Sequence, residues 1–484
     1  MTPFCFQNLP IQNVLHYFEE ICAIPRMSGK EEKIADYLCN FANKHHLSYH
    51  RDSMNNVLIR KPHSTGYEHS PVVMLQGHTD MVCEKLFSSE HNFDSDPIHL
   101  IFDGDEIHAD GTTLGADNGI AVALILAVLE DKTLQHPDIE ALFTSSEEIG
   151  LLGADAFDYS LCHADILINL DSEEEGYGCV GCSGGMRTDI RMPISKAAAP
   201  EESQSFTVHI SGLMGGHSGT DIHLGRQNAS KLLGKILYRF NRIEPLQLIS
   251  VKGGSKDNAI SIESSADFIS KADIQTLNKA LCDFRSELDE ELVDCDRNLS
   301  IRLLPASIPS QCIDSSDSKK LISLLNLCPQ GVLKRNPDIP EFIESSVNFG
   351  VLYMQDNDAV LGFSLRSPRE SLMHDTAEKL HILADVFGAK TQDFAFYPGW
   401  DYEKNSQIEK VYCDAYRELY GTDPHIYTIH AGLECGILKA RIPHISAISI
   451  GPTLKNVHTP SESLNVPSLK KIWDTLVLML KKLH

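Results

Sequence analysis

The feature that most constrains this chain is a set of short apolar runs, each of which stops at an acid or a histidine. Val72-Val73-Met74-Leu75 leads into Gly77-His78-Thr79-Asp80. Ile139 to Thr144 leads into Ser146-Glu147-Glu148, and Asp165 to Leu170 ends at Asp171. Apolar runs without polar alternation read as strands buried on both faces, and such strands need helices on either side. Asp117 to Glu130 is apolar almost all round, as a buried helix is. Strands alternating with helices predict an α/β fold, a central mixed sheet sandwiched by helices. Open sheets of this kind gather their ligands at strand ends.

At 484 residues the chain is too long for one ordinary core. Near Gly184-Gly185 the pattern changes. Ser205 to Ser211 alternates polar and apolar, and strands and helices then follow to Phe396 in the manner of antiparallel sheets with helices on one face. The α/β character returns after Pro398, and a final helix runs from Val466 to Leu483 with its apolar residues at core spacing. The expected organisation is a discontinuous catalytic domain (1–185 and 399–484) with an inserted α+β lid domain (186–398), itself divisible into two tandem halves.

Composition removes several classes of partner. With 42 basic and 67 acidic side chains the formal charge is -25, a field that repels nucleic acid. The first basic residue is Arg26, so no secretory leader is expected. The longest apolar stretch, Ile120 to Leu129, is about half a membrane span. No membrane partner and a cytoplasmic location follow as expectations. Thirteen scattered cysteines fit a reduced interior. The lone Cys179-Val180-Gly181-Cys182 reads as small buried residues beside a Gly-rich turn rather than as a metal or redox motif.

The strand-end residues carry the chemistry. One histidine at a strand end is usually a satisfied polar group, and one Glu-Glu pair is usually a solvated surface. His78, Glu147, Glu148, Asp171 and His458 together, with Asp117 where a Gly-rich loop enters a helix, are the inventory of a two-metal hydrolase. Zinc accepts imidazole nitrogen and carboxylate oxygen. Two ions need a shared donor, and Asp117 is the candidate. Asp80, two residues past His78, is placed to orient the imidazole. Glu147 and Glu148 are adjacent and should diverge, so that one binds metal and the other holds a proton.

These segments resemble the metallopeptidase superfamily with co-catalytic zinc that includes aminoacylases, carboxypeptidases and dipeptidases. Gly212 to Gly219, Gly225 to Ala229, Ile24 to Gly29, Tyr397 to Trp400 and His430 to Gly436 narrow the likeness to the bacterial aminoacyl-histidine (Xaa-His, carnosinase-like) dipeptidases. The resemblance implies two Zn2+ per chain, with Mn2+ or Co2+ as substitutes. His78, Asp117 and Asp171 would hold one; Asp117, Glu148 and His458 would hold the other. It implies hydrolysis of dipeptides, preferentially Xaa-His including β-Ala-His, by a water bridging the two ions with Glu147 as general base. His217 would steady the tetrahedral oxygen. Asn258 and Arg366 would hold the dipeptide's backbone and carboxylate, with Arg369 a second candidate for that clamp, and Gly432 would line the pocket. Relatives with a single-unit lid commonly pair through it, which implies a homodimer through the lid, although a duplicated lid could supply its own second half. An N-acyl amino-acid deacylase or carboxypeptidase would use the same metal site.

Overall fold

Val73–His78, buried at every position, is a middle strand of an eight-stranded sheet in the computed structural model, which describes residues 11–337 and 339–484. It pairs in parallel with Ile139–Thr144 on one side and Ile166–Asn169 on the other, and Ser446–Ser449 continues the parallel set. Ser48–Arg51 and Val57–Lys61 extend one edge, and Tyr177–Cys182 and His425–Ile429 the other. In register His78 stands opposite Thr144, and Gln76 opposite Asn169. Three adjacent parallel strands therefore end side by side, and the residues just past them are those singled out above.

The buried helix Ala116–Glu130 packs against Val73–His78 and against the helix Gln12–Cys22. Gly77 makes that approach possible. A Cβ there would lie 2.5 Å from Asn118 Oδ1 and 2.7 Å from the Ala121 methyl. Gln12–Cys22 buries Val14, Leu15, Phe18, Ile21 and Cys22 along one face. Val466–Lys482 buries Leu469, Ile472, Leu476, Met479 and Leu480. It starts where the Asn465 side chain accepts the Ser468 N–H, with Pro467 in the first turn.

Before the second helix, Glu32–Lys44, the Ser28 hydroxyl donates to Asp80 at 2.7 Å. Cys179 and Cys182 are buried, as expected, and lie on the strand Tyr177–Cys182. Its glycines admit close neighbours, since a Cβ on Gly178 would meet the Tyr412 ring at 2.7 Å. The reading of the first residues as lacking a leader falls outside the described residues. Among the described residues no helix is long and apolar enough to cross a membrane.

The chain divides into two units. One is Met1–Cys182, Trp400–Thr428 and Leu433–His484; the other is Ser183–Gly399 with the four residues Ile429–Gly432. The second unit is built on a nine-stranded antiparallel sheet. Its order is Ser300–Ala306, Gln204–Ser211, Ser264–Ser270, Leu246–Gly253, Ile343–Gln355, Asp358–Ser367, Gly184–Pro193 and Lys390–Tyr397, with Gly331–Arg335 also on Ile343–Gln355. The two parts of this sheet meet through one register pair, Gly253 with Leu352. Four helices (Ala229–Ile243, Ile274–Asp289, Ser315–Leu327 and Glu370–Phe387) share a core with it, including Phe206, Phe240, Phe268, Leu321, Phe349, Phe363 and Leu380.

Candidate active site

The strand ends of the first unit converge on Asp117. Its Oδ1 lies 3.2 Å from His78 Nε2, and its Oδ2 lies 2.9 Å from His458 Nε2. His78 Nε2 is also 3.5 Å from Asp171 Oδ1, and His458 Nε2 is 2.9 Å from Glu148 Oε1. Two three-donor groups result, His78-Asp117-Asp171 and Asp117-Glu148-His458, each with ligand atoms within 4.8 Å of one another. His78, Glu147 and Glu148 form a third such group, with Glu147 Oε2 3.9 Å from His78 Nε2. The donors fit a pair of divalent cations: imidazole and carboxylate suit zinc, and three protein donors are what a catalytic zinc site keeps. The two histidines differ in access. The His78 side chain is 1% exposed and that of His458 is 46% exposed.

Buried charged side chains fix the loops that carry these donors. Glu462 accepts the N–H groups of Leu114, Gly115, Ala116 and Asp117, gathering the turn that presents Asp117. Arg26 donates to the carbonyls of Thr79, Asp80 and Gly115, tying two of the loops together. Glu31 accepts both the N–H and the hydroxyl of Ser146, which holds a φ of 51° just before the two glutamates. Asp80 accepts from Ser28 and from the N–H groups of Glu147 and Glu148, and its Oδ1 faces His78 Nδ1 at 3.5 Å. Asn118 accepts the His78 N–H and donates to the Leu170 carbonyl. Sequence reading singled out Asp80 alone among these anchors. Ile24 to Gly29 stood out only as a motif, and nothing local marked Glu31 or Glu462.

Electrostatics follow from crowding acids in a buried place. Hydrogen bonds donated to Asp117 and Glu148 push the His458 imidazole up to about 11. Burial raises the Asp171 carboxyl to about 6, and burial drives Glu147 well above the usual carboxylate range. Burial also acts on Asp80, but His78, Ser28 and the Glu147 N–H outweigh it and bring Asp80 down to about 2. Glu434 joins this group. It is buried, accepts from Gln76 at 2.6 Å and Thr144 at 2.8 Å, leaves Oε1 without a partner, and is raised by burial to about 7. A pocket this acidic favours cations.

In the second unit the structure brings His217, Arg366 and Gly432 to one place. The Thr220 N–H donates to His217 Nδ1 at 3.2 Å, so the neutral ring carries its proton on Nε2. That Nε2 stands 3.4 Å from Arg366 Nη2. Burial and the Arg366 charge hold the imidazole below its usual pKa. Two donors thus face each other with no acceptor between them. Arg366 is 5% exposed, its Nε has no partner, and among the described residues no carboxylate pairs with it. Arg369 is half-buried and faces Glu344 at 3.4 Å. Asn258 stands beside His217 through its backbone: its carbonyl accepts the Ser218 N–H at 2.9 Å, next to the His217–Ala259 bridge, while its side chain is exposed. A Cβ on Gly432 would meet the Tyr397 ring at 2.8 Å. His430, which sequence reading named only as the start of a motif, is buried with Ser183 Oγ 2.7 Å from Nδ1 and Ser346 Oγ 2.7 Å from Nε2.

Residues 74–482 match the sequence model of Peptidase family M20/M25/M40. The chain is 38% identical over 478 residues to the cytosol non-specific dipeptidase of Escherichia coli (strain K12), covering 98% of each. Its structure matches that of aminoacylhistidine dipeptidase from Vibrio alginolyticus with a TM-score of 0.95 at 35% identity, over 99% of this chain and 98% of that one. Aminopeptidase PepT from Bacillus cereus shares the fold, with a TM-score of 0.58 at 15% identity over 98% of this chain and 99% of the other.

Proposed function

The chain belongs to peptidase family M20/M25/M40, and from that premise we propose that it is a cytosolic metallodipeptidase that prefers Xaa-His dipeptides, β-Ala-His among them. The observation that carries the reading is Asp117, whose two oxygens address two different histidine-carboxylate groups. The preference rests on likeness to the aminoacylhistidine dipeptidase and the location on likeness to the cytosol dipeptidase.

His78, Asp117 and Asp171 would hold one divalent cation; Asp117, Glu148 and His458 would hold the other, zinc being best suited and manganese or cobalt acceptable. When bound, the pair supplies Lewis acidity at the reacting carbonyl and its water. Asp80 keeps the His78 ring in place by facing Nδ1. Glu147 takes the proton of the attacking water and delivers it to the leaving amine, a role suited to a carboxylate whose proton affinity burial raises. In the second unit, His217 donates from Nε2 to the carbonyl oxygen as it gains charge. Arg366, lacking an acid of its own, holds the substrate carboxylate, and Asn258 and Gly432 line the backbone.

The test is a substrate panel run on protein of measured metal content. Ala-His and β-Ala-His should be cut far faster than N-acetyl amino acids or peptides of five residues. Faster release from N-acetyl amino acids would replace this reading with a deacylase on the same metal site.

A further inference from the structure

Four residues lie in one row across four strands of the second unit's sheet. Ser346 pairs with Arg366, Arg366 with Gly185, and Gly185 with Tyr397. Directly opposed residues of neighbouring strands share a face. Gly185, between the arginine and the tyrosine, has no side chain to separate them. The Tyr397 ring fills that gap: a Cβ on Gly185 would lie 2.5 Å from it, and one on Gly432 would lie 2.8 Å from it. The ring is gripped between two glycines, and the phenol is set beside the guanidinium.

The hydrogen bonding then leaves one direction open. Arg366 Nη1 donates to the Tyr397 oxygen at 3.1 Å, so that oxygen is an acceptor in this contact. Among the described residues this is the hydroxyl's one hydrogen bond, and its own proton is left to donate elsewhere. The neighbouring groups cannot take it. Arg187, on the strand of Gly185, is itself a donor and is already paired with Asp257 and Ser364. His430 has both ring nitrogens engaged by serines, and burial and the Arg366 charge lower it to about 3, so it adds no charge. Arg366 itself is nine-tenths buried with an unpartnered Nε. A buried cation without an acid, beside a phenol with a spare proton, is a receptor for one anion with two acceptor oxygens.

We propose that Tyr397 is a specificity-determining residue whose hydroxyl donates to the C-terminal carboxylate of the dipeptide held by Arg366. The proposal rests on the dipeptidase reading given above. Arg366 supplies the charge, and Tyr397 supplies a second, neutral donor at a fixed angle. The phenol thereby favours substrates with a free carboxyl terminus.

Tyr397→Phe keeps the gripped ring and removes the hydroxyl alone. The metal-loaded wild type and variant are assayed on Ala-His and on its C-terminal amide. The variant should raise KM for Ala-His about tenfold, the weight of a hydrogen bond to a charged group, with kcat changed less than about twofold. On the amide, where the carboxylate is absent, its KM should match the wild type. An unchanged KM for Ala-His overturns the proposal. An equal rise on both substrates also overturns it, since that is the signature of a purely structural tyrosine. A wild type that cuts the amide as well as Ala-His removes the Arg366 clamp and this proposal with it. A wild type that discriminates while the variant discriminates equally removes Tyr397 alone.

Discussion

The two units position their polar residues by different means. In the first, the donors sit at the ends of strands and helices or just past them, where the regular ladder stops and buried charges take its place. Glu462 gathers four N–H groups, Glu31 holds Ser146, and Arg26 ties three carbonyls. In the second, Ser346, Arg366 and Tyr397 are placed by strand register itself, with Gly185 as the gap between them. The contrast teaches where disruption should spread. A loop held by a carboxylate moves as a whole when that carboxylate goes. A side chain held by a ladder can be changed alone.

The largest effect tests the loop side of this contrast. Glu147→Gln should lower kcat by about 10³-fold, within the range of a lost general base, while metal content measured by atomic emission stays at the wild-type value. Loss of metal along with turnover would mean that Glu147 is a ligand, as its group with His78 and Glu148 allows. Next comes the ladder side. Arg366→Ala should cut kcat/KM for Ala-His about 10²-fold through KM, the cost of leaving a carboxylate without its partner, with metal content and melting temperature near wild type. A collapse of folding would show that the row does more than display side chains. Glu462→Gln sits between the two cases. It weakens a remote anchor that touches no substrate, and metal affinity should fall roughly tenfold, with activity restored by excess zinc. Failure of zinc to restore it would end the claim that this carboxylate acts through Asp117.

The smallest effect concerns stability. Burial raises Glu434 from 4.5 to about 7, so between these values the native state keeps a proton that the unfolded chain has released. Its contribution is whole below 4.5 and is lost as pH rises through 7. Glu434→Gln removes this dependence. The variant's melting temperature, compared with wild type, should gain roughly 3 °C between pH 5 and pH 8. A constant gap would place the carboxyl's proton elsewhere.

What sequence could reveal followed the same division. His78, Glu147, Glu148 and Asp171 were legible because an apolar run announces a strand and a strand end announces a site. The central sheet was legible for the same reason. Ser48–Arg51 was not, since its residues are largely exposed and carry no apolar alternation. Glu462 and Glu31 were hidden because an orphan N–H can be satisfied by any carboxylate in the chain; the partners here are 345 and 115 residues apart. The loop that Glu462 serves looked complete in its glycines. Tyr397 appeared in a motif, yet its neighbour Arg366 is reached only through pairing register, which no local pattern states. The excursion of Ile429–Gly432 into the second unit has no compositional mark, whereas the change near Gly184 does.

The unequal shelter of His78 and His458 has a practical outcome. On the proposed ligand sets, the ion beside His458 trades with bulk solution faster than the one beside His78. Limited chelation should therefore yield a singly loaded species before an empty one, and refilling that species with cobalt should give a mixed-metal enzyme whose visible spectrum reports on the outer position alone.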